Sequence, residues 1–197
     1  MVKKRVLSHW ESVLRSESGS LSSLSNFKPA FMSLTSPHPI WTTAGSSPAN
    51  VAMATVQAVM VSGRYRSEAL CSHWSKNRKG VCLLAGSCSD MSEDITHILQ
   101  ICPALSCFRQ NLAKFTLDYS DKLENPDIQA VLLSHCDISH PLFVSFLLDC
   151  STLPQVIVSV QLHGHDVLYH LFRVTRTWIF VLHRERLKML GRWNNYS

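Results

Sequence analysis

The 197-residue chain is 46% hydrophobic and only 17% charged. This excludes a disordered polymer and leaves enough apolar surface for a buried core in one domain, or one domain with an appendage. The net charge of +5 is spread unevenly, with ten Lys/Arg against three Asp/Glu in residues 1–80, three against nine in 81–162, and six against two in 163–197. Such a basic–acidic–basic order suits contact with nucleic acid or an anionic surface, or simply a solvated face.

In chain order, Val2, Val6, Trp10, Val13 and Leu14 recur at helical spacing and predict an amphipathic helix over residues 2–18, closed by Ser18-Gly19-Ser20. The basic start MVKKRVLSHW has no apolar run behind it and does not read as a signal peptide. Residues 20–47 are rich in Pro, Ser and Thr yet carry Phe27, Phe31, Met32, Ile40 and Trp41, so an extended strap packed on a neighbour is expected. Ser47-Pro48 opens a helix that is expected to be buried, with Val51, Thr55, Ala58, Val59 and Ser62 lining one face and Ala52, Val56 and Met60 thickening it. A second, basic piece follows Gly63, with Leu70 and Trp74 facing inward, and then a basic loop, Ser75-Lys76-Asn77-Arg78-Lys79-Gly80. Further helices are expected over Ala104–Leu117, from Asn125-Pro126 onward, and as a buried pair in Leu142–Leu162. Asp149, Pro154 and Gln155 interrupt that last stretch, which argues against a membrane span. A long final helix is expected over His165–Leu190, with Leu168, Leu171, Phe172, Thr175, Ile179, Leu182 and Leu187 as its apolar stripe and Arg173, Arg176, Arg184, Arg186 and Lys188 on the other faces. The expected fold is mainly α, a helical domain with a small Cys/His knuckle between helices. It divides into an N-terminal helix and strap (1–47), a helical hairpin with the knuckle (48–117, knuckle 80–105) and a C-terminal helical region (118–197).

The knuckle is the most specific signal. Cys82, Cys88, His97 and Cys102 fall as C-x5-C-x8-H-x4-C, a set of soft and borderline donors suited to tetrahedral Zn2+. Ala85-Gly86-Ser87 supplies a turn between the first two sulfurs, and Ser92 followed by Glu93 and Asp94 reads as a helix N-cap. His97 and Cys102 would lie on different faces of a regular helix, so they converge only if the helix ends near Gln100 and the chain turns back. The competing readings are a buried histidine among three unligated core cysteines, or Cys107 in place of Cys102. The seven cysteines (Cys71, Cys82, Cys88, Cys102, Cys107, Cys136 and Cys150) are odd in number and knuckle-like in spacing, which points to a reducing, intracellular compartment, nuclear or cytoplasmic, and not to a disulfide framework.

The blocks Pro37-His38-Pro39-Ile40-Trp41-Thr42-Thr43-Ala44-Gly45, Met60-Val61-Ser62-Gly63-Arg64-Tyr65-Arg66-Ser67, the cysteine pair with His97-Ile98-Leu99 and Cys102-Pro103-Ala104-Leu105, and Arg176-Thr177-Trp178 with His183-Arg184-Glu185-Arg186-Leu187-Lys188 span much of the chain. Together they resemble the C-terminal, post-polymerase region of reverse transcriptases from non-LTR (LINE-type) retrotransposons. The resemblance implies a Cys-Cys-His-Cys zinc knuckle on Cys82, Cys88, His97 and Cys102 that helps hold template RNA or target DNA. No aromatic-x-Asp-Asp motif or endonuclease constellation accompanies it, and Tyr119-Ser120-Asp121 lacks the paired carboxylates of two-metal chemistry. The expectation is therefore a non-catalytic tail, a remnant or a partner in trans of a reverse transcriptase core, with no membrane and no small-molecule substrate.

Arg64, Arg66, Lys76, Arg78 and Lys79 with Trp74 make a basic cluster with an aromatic, suited to RNA or single-stranded DNA through phosphate contact and base stacking. The histidines His163, His165 and His170 lack further ligands at metal spacing, and Cys136 with His135 and His140 is a weak thiol-dyad signal. Two functional classes stand: a zinc-bearing nucleic-acid-binding module, and a zinc-stapled structural or protein-interaction domain with no nucleic-acid role. A continuous basic surface beside the knuckle favours the first; charged segments neutralising one another favour the second.

Overall fold

The computed structural model describes residues 37–84 and 88–192, together with His9, Ser12, Val13 and Ser16. The expected 2–18 helix, the first part of the strap and the Ala85-Gly86-Ser87 turn lie outside the described residues, apart from those four. The protein is mainly helical, and among the described residues the only β pairing is one antiparallel bridge, Val81 with Ser92. The helices are α1 (Pro39–Thr42), α2 (Pro48–Val61), α3 (Glu68–Ser72), α4 (Ser106–Ser120), α5 (Pro126–His135), α6 (Phe143–Asp149), α7 (Pro154–His163) and α8 (Asp166–Met189). A widened turn over His97–Ile101 and tight turns over Pro103–Leu105 and Cys150–Thr152 connect them.

Helix α8 is the axis of the molecule, packing against α2, α4, α5, α6 and α7. All seven residues of its expected stripe are buried, and Trp178 joins them with its indole N–H donating to Thr116 Oγ1 at 2.9 Å. Arg176 and Arg186 depart from expectation. They are buried, because each guanidinium finds partners inside: Arg176 donates to the Phe172 and Thr43 carbonyls, and Arg186 to Glu93. Buried residues from Ile40 to Leu182 share one hydrophobic cluster.

Pro48 opens α2 and Met60 is buried as expected, but Met60 shares the buried face with Ala54, Gln57 and Val61, whereas Val51 and Val59 are exposed. The helix is rotated from the expected face because Gln57 turns inward. Its amide donates to the Leu147 and Leu148 carbonyls at 2.8 and 3.1 Å, satisfying acceptors that the end of α6 leaves without intrahelical donors. The described end of the strap is a helical turn, not extended chain: Ile40 is buried and Trp41 is exposed. Trp74 is likewise outside the core, 86% exposed, since α3 ends at Ser72 and the chain leaves the helix before reaching it.

Asn125 caps α5 through Oδ1, accepting from the Asp127 and Ile128 N–H groups. Helices α6 and α7 bend by 41° across their break, and among the described residues no single helix is long and apolar enough to cross a membrane. α6 lies in the core, but α7 buries only Val156 and Ser159 and leaves Val158 and Leu162 outside, so the expected pair is buried in its first member alone.

Candidate metal centre and its basic flank

A short hairpin presents the first two cysteines. The Cys82 N–H donates to the Met91 carbonyl at 2.9 Å, the Glu93 N–H to the Gly80 carbonyl at 3.0 Å, and the Met91 N–H to the Cys88 carbonyl at 3.0 Å. Gly80 enters this hairpin at φ +73°, a left-handed conformation, and a Cβ there would meet Ser72 Oγ at 2.8 Å. Only glycine suits both conditions.

The next helical turn starts later than expected. Ser92 is engaged in the bridge with Val81, and the cap is Asp94, whose carboxylate accepts from the His97 N–H at 2.7 Å. Glu93 points away from the turn and is buried against Arg186. The helical turn ends at Ile101, close to the expected Gln100, and Cys102 leaves the helical conformation, but the ending is not a regular one. The turn widens before it ends, with the Cys102 N–H donating to the His97 carbonyl at 2.7 Å, five residues back. On a regular helix of 3.6 residues per turn these side chains would diverge by about 140°; the π-type turn removes most of that divergence.

The result is a closed cluster. One ligand atom from each of Cys82, Cys88, His97 and Cys102 lies within 4.8 Å of the others, and all four residues are buried. Cys102 Sγ is 3.9 Å from Cys82 Sγ and 3.8 Å from Cys88 Sγ, far beyond the ~2.05 Å of a disulfide. Both ring nitrogens of His97 lack a hydrogen-bond partner in a fully buried setting, a costly state for an imidazole that nothing binds. Burial lowers the His97 pKa, favouring the neutral ligating form, and pushes the Cys82 thiol up to about 12. The Leu84 and Ala104 backbone groups, each two residues beyond its cysteine, act in the opposite sense on Cys82 and Cys102 and favour the thiolates. Donor type, enclosure and an unclaimed His97 ring nitrogen suit a bound metal ion, which takes one of the two nitrogens. Cys107 is exposed on α4 and takes no part, so the alternative ligand falls away.

Arg109 was not foreseen. It is buried, and its guanidinium donates to the Cys102 and Ile98 carbonyls without an ion-pair partner among the described residues. Burial lowers its pKa, and the thiols of Cys102 and Cys107 act in the opposite sense. The only hint in the sequence was an arginine seven positions after Cys102 in a stretch with few cations.

On the other side of the hairpin lies the basic stretch. Arg64, Arg66, Lys76, Arg78 and Lys79 are exposed, as is Trp74. Arg78 pairs with Glu68 at 3.1 Å, while Arg64, Arg66, Lys76 and Lys79 make no ion pair among the described residues. Two further arginines reach this flank from the far end of the chain: Arg186, buried against Glu93 with Tyr65 beneath its guanidinium, and Arg192, 3.6 Å from Glu68. No local signal announces them, since they stand about a hundred residues from the loop they join.

The remaining histidines have other roles. His163 hydrogen-bonds Asp127 at 2.7 Å, His170 hydrogen-bonds Tyr119 at 2.8 Å, and His135 stacks against His140 and Phe146. Comparisons with protein-family models, curated proteins and solved structures give no match. The reverse-transcriptase resemblance therefore rests on its motif residues alone.

Proposed function

We propose that Cys82, Cys88, His97 and Cys102 hold one structural Zn2+, and that the chain is a non-catalytic module for RNA or single-stranded DNA, of the kind that follows the polymerase in non-LTR reverse transcriptases. The observation that carries the zinc assignment is the buried four-donor enclosure, in which no protein group claims the His97 ring nitrogen that a metal would take. A Cys3His set with no open position suits a structural zinc site. Zn–S bonds of ~2.3 Å at tetrahedral angles separate sulfurs by about 3.8 Å, which agrees with the spacings to Cys102. Three thiolates and a neutral imidazole on a dication leave one negative charge, and buried Arg109 supplies the matching positive one.

The nucleic-acid reading is supported by the unpaired cations Arg64, Arg66, Lys76 and Lys79 around an 86% exposed Trp74, all on the segment that runs into Cys82. Stapling that segment reduces the ordering needed when a strand binds. A second reading, a zinc-stapled interaction domain without nucleic acid, draws support from the Arg78, Arg186 and Arg192 pairs with Glu68 and Glu93. Elemental analysis of the reduced chain together with single-strand binding at several salt concentrations tests both. Zinc near one equivalent and a log K against log salt slope of about −2 to −3.5 are expected if three to five phosphates are contacted. Zinc without salt-dependent binding favours the second reading, and less than half an equivalent of zinc overturns the assignment.

A further inference from the structure

Beside the metal hairpin, a cleft of about 260 Å3 is lined by Arg66, Arg78, Arg186 and Arg192 with Cys71 and Leu187. These arginines come from distant parts of the chain: the segment after α2, the loop after α3, the last turns of α8 and the residues beyond it. Four guanidinium groups in one small cleft repel one another unless countered. Glu68 holds Arg78 and Arg192, and Glu93 holds Arg186. Four cations against two carboxylates leave a surplus of two positive charges. Arg186 is 1% exposed, yet its Nε–H has no partner. An unpaired donor buried in a cationic cleft is a place where an anion gains most.

We propose that this cleft seats the terminal phosphate of a nucleic-acid strand, with Trp74 stacking on the adjoining base. The proposal rests on the nucleic-acid reading of the basic flank. A phosphate monoester carries a charge of about −1.5 to −2 at neutral pH, which matches the surplus, whereas a phosphodiester within a strand carries only one charge. Planar guanidinium forks bind phosphate oxygens in pairs. Trp74 is not part of the lining but follows it closely in the chain: its backbone N–H donates to the carbonyl of Cys71, a lining residue, at 3.2 Å, and its side chain is open to solvent. Free inorganic phosphate offers the same oxyanion but gives Trp74 nothing to stack on.

The test compares a 5′-phosphorylated, a 3′-phosphorylated and an unphosphorylated 12-nucleotide single strand, each internally labelled, binding the zinc-loaded full chain by fluorescence anisotropy. One of the two phosphorylated ends should bind about tenfold more tightly than the hydroxyl-ended strand, the effect of one further charge-assisted contact. Arg66→Gln with Arg192→Gln should erase that preference: whatever Arg66 contributes to all three strands alike, the ratio of phosphorylated to hydroxyl-ended affinity should fall to about one. Both residues are solvent-facing and Arg78 still holds Glu68, and an unchanged Tm verifies the fold of the variant. Equal affinity for all three strands overturns the cleft assignment while leaving the wider nucleic-acid reading intact. Binding to none of them overturns both. Inorganic phosphate is titrated alone by 31P line broadening. If it binds in a way the double variant abolishes while strand ends are not distinguished, the occupant is free phosphate and the strand-end proposal fails.

Discussion

The Cys102 N–H donates to the His97 carbonyl across five residues, and this one widened turn gathers the third and fourth donors of the cluster onto the hairpin that carries the first two. Its geometry makes the identity of the fourth donor testable. Cys102→Ala should abolish zinc retention. Cys107→Ala should retain it with stability within about 0.5 kcal/mol of the parent, because Cys107 is exposed. Elemental analysis and thermal melting of the two variants decide this, and equal zinc content in both would contradict the ligand set.

Acid should strip the metal. Burial pushes the Cys82 thiol up to about 12, and burial likewise raises Cys102, so loading displaces their protons and apparent affinity falls with pH. The fall should be on the order of tenfold to a thousandfold per pH unit, depending on how many thiol protons are released. A chromophoric chelator titrated at several pH values reads it, and a flat profile would contradict thiolate ligation.

His183 gives stability a separate pH dependence. Burial, helped by Arg186, lowers its pKa to about 4. A histidine held neutral in the fold contributes stability that is present above its unfolded pKa near 6.5 and is lost as pH falls toward the folded value. The loss should be on the order of 2–3 kcal/mol between about pH 6.5 and 4. Urea melts of the parent and His183→Gln across that window should show a shallower slope for the variant.

Arg109→Met should weaken zinc affinity about tenfold to a hundredfold, the usual effect of removing a group that supports the ligands. Arg109→Lys should recover part of the loss by restoring charge without the paired donors to the Ile98 and Cys102 carbonyls. Competition with a calibrated chelator measures both, and identical affinity for all three proteins would remove Arg109 from the site.

Trp74→Ala should leave the Tm within about 1–2 °C of the parent, because the side chain is 86% exposed. The same variant should lose about 1–3 kcal/mol of single-strand binding if the indole stacks on a base. A variant that melts normally and binds as tightly as the parent would exclude stacking.

Much of the helical architecture was legible in the sequence. Pro48, Asn125-Pro126 and Pro154 mark helix starts by local chemistry, and the α8 stripe from Leu168 to Leu187 follows helical spacing. The four donors were legible for the same reason, since Cys and His at short spacing carry their chemistry in their identity. What escaped depends on partners distant in the chain. Gln57 turns inward only because the end of α6 offers it carbonyls, and Arg176 and Arg186 are buried only because Thr43 and Glu93 wait for them. The π-type turn escaped too, because nothing in HILQI distinguishes a widened turn from a regular one until Cys102 must face the cluster.

The buried Arg186–Glu93 pair joins residues 93 positions apart. In a growing polypeptide Glu93 is therefore synthesised well before its partner, by about 5–20 s at ordinary elongation rates. All four metal donors lie on the early side of that interval, between Cys82 and Cys102, so the cluster can assemble while α8 is still being made. Glu93 then spends the interval as an unmatched carboxylate next to the forming cluster, open to water and to its neighbours. Only with the last helix does that carboxylate gain its guanidinium partner, so the order of synthesis allows the four donors to meet before the pair forms.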